Sequence, residues 1–267
     1  MPYVPTRDII TYYEEAGSGE PLVLIMGLGG DLQGWALTAP ALAKHFRVIT
    51  YDNRGAGRTG APDRPYTIAG MAGDLAALLD ALKIEKAHIL GFSMGGYIAQ
   101  EFALNYPSRV NRLVLLATAA SIDGYGRVVI GNWINVQRSN MSREQIVRFR
   151  APYLYTSALL DDEARYERSI QNSVSNPYAQ QDHAFLRQAQ AILGWDASAR
   201  AGAIKAETLV IAGKEDLLVP PRNSEKLNKL IPGSRLQLLD GGHLGAMEFP
   251  NEYNTAILEF LGAAVPA

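Results

Sequence analysis

The stretch "AHILGFSMGGYIAQEFALNY", Ala87 to Tyr106, decides the reading of this chain. Its first four residues form an apolar run that suits a strand covered on both faces, as in a parallel sheet. Its last twelve carry apolar residues at helical spacing and are stopped by Pro107. Ser93 therefore stands on the turn between a buried strand and a helix that begins near Met94. A side chain held on so sharp a turn needs a strained backbone and small neighbours two residues to either side, which Gly91 and Gly95 are. Gly96 lets the helix pack closely on the sheet. The helix start aims unpaired N–H groups and the positive end of its dipole beside the hydroxyl, where a developing oxyanion would be stabilised. Serine is a weak nucleophile at its free pKa, so these surroundings, more than the residue type, single out Ser93 as the nucleophile.

Similar apolar runs recur on both sides of this stretch: Leu22 to Ile25, Val48 to Tyr51, Leu113 to Ala117, Leu209 to Ala212 and Leu236 to Leu239. Most gaps between them hold one helix, including "TIAGMAGDLAALLDALKI" and "PRNSEKLNKLI". Alternation of strand and helix predicts an α/β doubly wound sheet. The segment "DIITYYEEAGSGEPLVLI" alternates more strictly and predicts an antiparallel hairpin at the sheet edge, turning at Gly17-Ser18-Gly19. One gap, from Ala117 to Leu209, is several times longer than a helical crossover needs. It contains helical patterns, among them "SREQIVRFRAPYLY" with a capping box from Ser142 and Gln145. The chain is accordingly divided into a core of residues 1–121 and 195–267 and an inserted helical cap of residues 122–194.

A serine nucleophile needs a base, and the chain contains four histidines. His45 ends a surface helix, His88 enters the strand before the turn, and His183 lies on a polar face of the insertion. His243 differs, because "LQLLDGG" precedes it and a Gly-Gly loop after the last strand brings an imidazole back over the sheet's C-terminal edge. The orienting carboxylate is sought in "LVIAGKEDLLVPP", which presents Glu215 and Asp216 on the same edge. The glycine-rich "MGLGGDLQGW" after the first apolar run supplies a backbone that can approach a ligand, and the amides of Leu28 and Met94 form the expected oxyanion-binding pair. No Lys-Ser/Thr follows these glycines, which excludes a P-loop.

Together these segments resemble the α/β-hydrolase superfamily: "MGLGG" as oxyanion loop, "YDNRGAGRTGAP" after the next strand, "GFSMGG" as nucleophile elbow, "GKEDLLVP" as acid loop and "GGHLGAMEFP" as histidine loop. The resemblance implies a mostly parallel sheet flanked by helices with a helical cap inserted, a Ser-Asp-His chain order and no cofactor. It selects Asp216, three residues past Gly213, as the triad acid, and makes Asp52, Arg54 and Gly55 braces for the loop beside the site. Relatives commonly begin the oxyanion loop with His-Gly, whereas Met26-Gly27 stands here. Similarity extends to small carboxylesterases, 3-oxoadipate enol-lactonases and cofactor-free haloperoxidases or perhydrolases. Serine at the elbow argues against epoxide hydrolases and haloalkane dehalogenases, which use aspartate there.

Composition narrows the partners. Hydrophobic residues make up 48% and charged residues 19% of the 267, and a formal charge of −2 creates no field that would draw nucleic acid or an anionic membrane. Without cysteine there is no thiolate nucleophile, no disulfide framework and no cysteine-ligated metal. Neither a signal peptide nor a membrane span is visible, so a cytoplasmic monomer or homodimer is expected. The expected activity is a carboxylesterase acting on small to medium acyl or aromatic esters, or on a lactone, with neither cofactor nor metal. Carbon–carbon bond hydrolysis, peracid formation and a non-enzymatic ligand receptor are the alternatives. Gly27, Trp133, Tyr153 and Leu218 are the expected substrate contacts, with Phe149, Tyr155, Tyr178 and Phe185 as further aromatics of the insertion and Trp195 near its end. Arg127, Arg138, Arg148 and Arg150 either bind a substrate carboxylate or form a solvated helix face.

Overall fold

A computed structural model describes residues 2–263, so the outermost residues of the assigned core, 1 and 264–267, lie outside it. Eight strands form one sheet: β1 (Tyr3–Thr6), β2 (Ile9–Ala16), β3 (Pro21–Ile25), β4 (Arg47–Tyr51), β5 (Ala87–Phe92), β6 (Val110–Leu116), β7 (Glu207–Gly213) and β8 (Arg235–Leu239). Eleven α-helices accompany them: α1 (Ala39–Leu42), α2 (Ile68–Ala81), α3 (Met94–Asn105), α4 (Gly124–Gln137), α5 (Arg143–Leu154), α6 (Ser157–Asp161), α7 (Glu163–Val174), α8 (Asp182–Leu193), α9 (Pro221–Leu230), α10 (Gly245–Glu248) and α11 (Pro250–Leu261). The strand order is β1-β2-β4-β3-β5-β6-β7-β8. From β4 to β8 all neighbours are parallel, while β1–β2 and β2–β4 are antiparallel.

The two-residue period of a strand explains the layers. In β3, Leu22 and Leu24 face one side with Trp35, Leu42, Phe46, Tyr253 and Ile257, whereas Val23 and Ile25 face the other with Met71, Leu75, Ile98 and Phe102. Every one of those four strand residues is fully buried, as an uninterrupted apolar run requires of a central strand. Helices α2 and α3 cover one face and α1 with α11 the other. Because β4 lies on one side of β3 and β5 on the other, the chain changes direction across the sheet there, and the crevice beyond the C-terminal ends of β3 and β5 is where such sheets bind ligands.

The hairpin expected to turn at Gly17-Ser18-Gly19 is not formed. β2 does not pair with β3; it pairs with β1 through a turn at Arg7 and Asp8, and with β4 on its other edge. β3 is apolar on both faces and is held between β4 and β5, whereas β2 is buried only at Ile9, Thr11 and Tyr12 and is exposed from Glu14 to Ala16. The glycines at positions 17 and 19 turn the chain past the carbonyls of Ala43, His45 and Phe46 instead of closing a two-strand ribbon.

Between β6 and β7 the chain forms five helices, α4 to α8. The capping box at Ser142 and Gln145 is present, with each side chain bonded to the other residue's backbone N–H. A single antiparallel bridge between Ser121 and Asp196 ties the two ends of this segment together.

Gly95 sets the spacing of the central helix. A Cβ there would lie 2.8 Å from the carbonyl oxygen of Met26 and would collide with that of Ile25, both rigid backbone atoms. Alanine at this position therefore has to lift α3 off β3. Overpacking of that kind costs about 1–3 kcal/mol, which for a chain of this size lowers the melting temperature by several degrees. Calorimetry of Gly95→Ala measures it, and an unchanged melting temperature would show that α3 has slack at this contact.

Candidate active site

Ser93 is the residue between β5 and α3, with φ 54° and ψ −119°. A positive φ is costly for a side chain with a Cβ, on the order of 1–3 kcal/mol, and persists only where surroundings enforce it. Here they do: the Ser93 N–H donates to Leu116 O at 2.9 Å, and its carbonyl accepts from Thr118 Oγ1 at 2.9 Å. Gly91 and Gly95 are packed so tightly that a Cβ on Gly91 would enter the Gly95 carbonyl.

Three loops from distant parts of the chain meet at this turn. His243 Nε2 lies 3.0 Å from Ser93 Oγ, and His243 Nδ1 lies 2.8 Å from Asp216 Oδ2. The second carboxylate oxygen, Oδ1, accepts the backbone N–H groups of Leu218 at 2.9 Å and Val219 at 2.8 Å. With the carboxylate accepting from Nδ1–H, the neutral imidazole presents Nε2 as an acceptor to the serine hydroxyl. His243 and Asp216 are buried, and the Phe92 ring sits 5.0 Å from the imidazole, centre to centre. The arrangement can take a proton from Ser93 as its oxygen attacks a carbonyl carbon.

The loop after β3 approaches from the opposite side. Asn53 Nδ2 donates to the Met26 carbonyl at 2.7 Å, and Asp52 Oδ1 accepts from Leu32 N at 2.9 Å, so residues that follow β4 hold this loop in place. Burial pushes the Asp52 carboxyl up, against the backbone N–H groups of Arg58 and Leu32 that favour its charge. Arg54 is fixed between Asp74 and Asp8 at 2.7 and 2.8 Å, which makes it part of the frame. The Met26 side chain, standing where His is common, packs against Gly30 and Gly34. Among the described residues no acceptor is found for the Leu28 amide or for the Met94 amide at the first position of α3.

Over these groups opens a cavity of about 1670 Å³ whose walls come from the β3 loop, α3, α4, α5, α7 and α8. Ser93, His243, Leu28 and Met94 line it, as do Trp133 and Leu218. Gly27 and Tyr153, expected as substrate contacts, do not. A Cβ on Gly27 would stand 2.9 Å from the Cβ of Ser93, so its bare backbone makes room beneath the serine. Tyr153 turns away and packs edge-on against Trp133, with ring centres 6.1 Å apart. Trp195 is likewise outside the cavity, stacked on Tyr97 and bonded to Glu101. Tyr155, Tyr178 and Phe185 line the wall.

Two of the other histidines are engaged elsewhere: His88 lies 2.9 Å from Glu20 and edge-on to Phe46, and His183 Nε2 is 2.9 Å from the Ala61 carbonyl. Asp240 pairs with Lys214 at 2.6 Å. Glu215 is exposed yet accepts from Ser157 Oγ at 3.2 Å. Sequence reasoning missed Glu248. Its carboxylate accepts from Gly242 N at 3.1 Å and from Thr156 Oγ1 at 2.6 Å, which joins the loop of His243 to the junction of α5 and α6. Nothing in the spacing of residues announces that contact, since 92 positions separate its partners. Among the described residues no group of three acidic or histidine side chains is placed to hold a metal ion, and no helix is long and apolar enough to cross a membrane.

Comparison with known proteins places this geometry in context. A family model described as alpha/beta hydrolase fold matches residues 20–250. The chain is 33% identical over 98% of its length, and 98% of the relative's, to "Putative carbamate hydrolase RutD" of Azorhizobium caulinodans. Among solved structures, an enol-lactonase from Burkholderia xenovorans superposes with a TM-score of 0.89 at 30% identity, covering 97% of this chain and 99% of that one. A thermophilic esterase from Thermogutta terrifontis, with malate bound, superposes with a TM-score of 0.84 at 29% identity over 98% of this chain and 96% of its own.

Proposed function

Since the chain belongs to the α/β-hydrolase family, we propose that it is a serine hydrolase that cleaves carboxylic esters or lactones through an acyl-enzyme. The observation that carries this reading is the line Ser93 Oγ, His243 Nε2, His243 Nδ1, Asp216 Oδ2, with steps of 3.0 and 2.8 Å, at the floor of a large cavity. Ser93 Oγ attacks the carbonyl carbon as His243 accepts its proton, and Asp216 holds the tautomer and stabilises the imidazolium. The Leu28 and Met94 amides, which have no other acceptor among the described residues, donate to the oxyanion of the tetrahedral intermediate. His243 returns the proton to the departing alkoxide, and a water activated by the same imidazole then releases the acid.

The named relatives favour one second reading. Carbamate hydrolase, enol-lactonase and esterase are named for substrates that share a carbonyl carbon and differ in the groups it carries. Turnover of a panel containing phenyl acetate, a small lactone and a phenyl carbamate separates them. Ester or lactone turnover well above that of the carbamate is expected, and the opposite order would replace the esterase reading with the carbamate one. A fluorophosphonate should attach to Ser93, as read by peptide mass spectrometry; no adduct, or an adduct elsewhere, would remove the serine mechanism altogether.

A further inference from the structure

Gly241 and Gly242 stand directly before His243, and a base on so free a tether is placed by the bonds its loop makes. The residues on either side of it each supply one. Gly242 N donates to Glu248 Oε1 at 3.1 Å, and Leu244 N donates to the Leu154 carbonyl at 2.9 Å. Gly245 N donates to the Gly242 carbonyl at 3.1 Å and Glu248 N to that of Leu244 at 3.2 Å, so the base stands in a loop that the Glu248 side chain closes. No space is left on the outer side. A Cβ on Gly242 would stand 2.9 Å from Leu154 O and from Tyr155 C, and 3.0 Å from Thr156 N.

Glu248 is half-buried on α10 and lines the cavity. Its second oxygen accepts from Thr156 Oγ1 at 2.6 Å and from Thr156 N at 3.2 Å. Its described partners are these neutral donors alone, and an ionised acceptor makes each such bond about twice as strong as a neutral one. The carboxylate bonds to the peptide before His243 and not to the imidazole, whose two nitrogens face Asp216 and Ser93. Whatever it does for the reaction therefore passes through Gly242.

We propose that Glu248 is a positioning residue for the general base: by holding Gly242 N it keeps His243 Nε2 within bonding reach of Ser93 Oγ. This rests on the reading of Ser93 and His243 as nucleophile and base. The competing role is that of an anchor for the inserted helices through Thr156, and the two roles differ in what they do to turnover.

Glu248→Ala should lower kcat for p-nitrophenyl acetate by roughly 10–100-fold, the scale on which a displacement of about 1 Å acts, with KM within about threefold of wild type. Glu248→Gln should recover most of that loss, because its amide oxygen keeps the Gly242 N–H while its NH₂ donates to the Thr156 hydroxyl. Thr156→Val removes the bond to the insertion and leaves the bond to Gly242. It should lower the melting temperature while keeping kcat within about threefold of wild type. Equal losses of kcat in Glu248→Ala and Thr156→Val would make the carboxylate an anchor and overturn the proposal, as would an unchanged kcat in Glu248→Ala. Glu248→Asp, one methylene short of Gly242, takes the place of the alanine variant if that does not fold. A second readout needs no substrate: the downfield proton resonance of the bond between His243 Nδ1 and Asp216, expected sharp in wild type and Glu248→Gln and broadened in Glu248→Ala. A sharp, unshifted signal in Glu248→Ala overturns the proposal. Should wild type hydrolyse no ester, the ester reading falls while this signal still decides the role of Glu248.

Discussion

Ser93→Ala lowers kcat for an activated ester such as p-nitrophenyl acetate by about five to six orders of magnitude, the scale on which removing a triad nucleophile acts. The loss is chemical and not structural. Serine and alanine share a Cβ, so the strained backbone at φ 54° is retained, and the packing that enforces it comes from Gly91, Gly95, Leu116 and Thr118. The hydroxyl makes one hydrogen bond, to His243, and its removal leaves the cavity and the Leu28 and Met94 amides in place. What remains is the modest acceleration that a pre-formed oxyanion site gives to attack by water. Stopped-flow and long-incubation assays with the melting temperature measured alongside provide the check. Retention of a substantial fraction of wild-type activity by a folded variant would end the nucleophile assignment.

Asp216→Asn is the second large effect, a fall in kcat of about 10⁴ with little change in stability. The size follows from how the carboxylate is held. Oδ1 accepts two backbone N–H groups, from Leu218 and Val219, and that side of the group must remain an acceptor. In asparagine the carbonyl oxygen is therefore fixed toward those amides, and the NH₂ is turned to His243 Nδ1. Two donors cannot face one another, so Nδ1 gives up its proton and Nε2 carries it instead. The imidazole then donates toward Ser93 and cannot act as the base. Retention of the two amide bonds keeps the loop folded, which separates this variant from Asp216→Ala. A loss of less than tenfold in kcat would mean that the carboxylate does not govern the tautomer.

Six of the eight strands are legible as apolar runs; for β3 to β7 the reason is that a strand buried on both faces must be apolar at consecutive positions, a local signal, whereas β8 is a part-exposed edge strand. The elbow was legible for a related reason: Gly91, Gly95 and Gly96 answer steric demands made within a few residues of Ser93. The edge hairpin differs from expectation because β2 pairs locally with β1, a four-residue strand containing Pro5 that carries no strand signature, and over a long sequence distance with β4. Their place in the chain puts Gly27 and Tyr153 near a substrate, but which way a residue faces depends on the packing of helices brought together over the sheet. Arg148 and Arg150 differ by two positions on α5 and by everything in their surroundings: one is paired twice at the surface, the other is closed in by two rings.

The contact between Glu248 and Thr156, reinforced by the Leu244 N–H donating to the Leu154 carbonyl at 2.9 Å, has a consequence for protein engineering. A minimal enzyme made by deleting α4 to α8 and splicing β6 to β7 would remove part of the support beneath His243: Leu244 would lose its acceptor, Glu248 would lose two of its donors, and the Gly-Gly turn would be held by core contacts alone. Remodelling for new substrates is better confined to side chains on the inner walls of α4, α5 and α8, leaving the α5–α6 junction untouched.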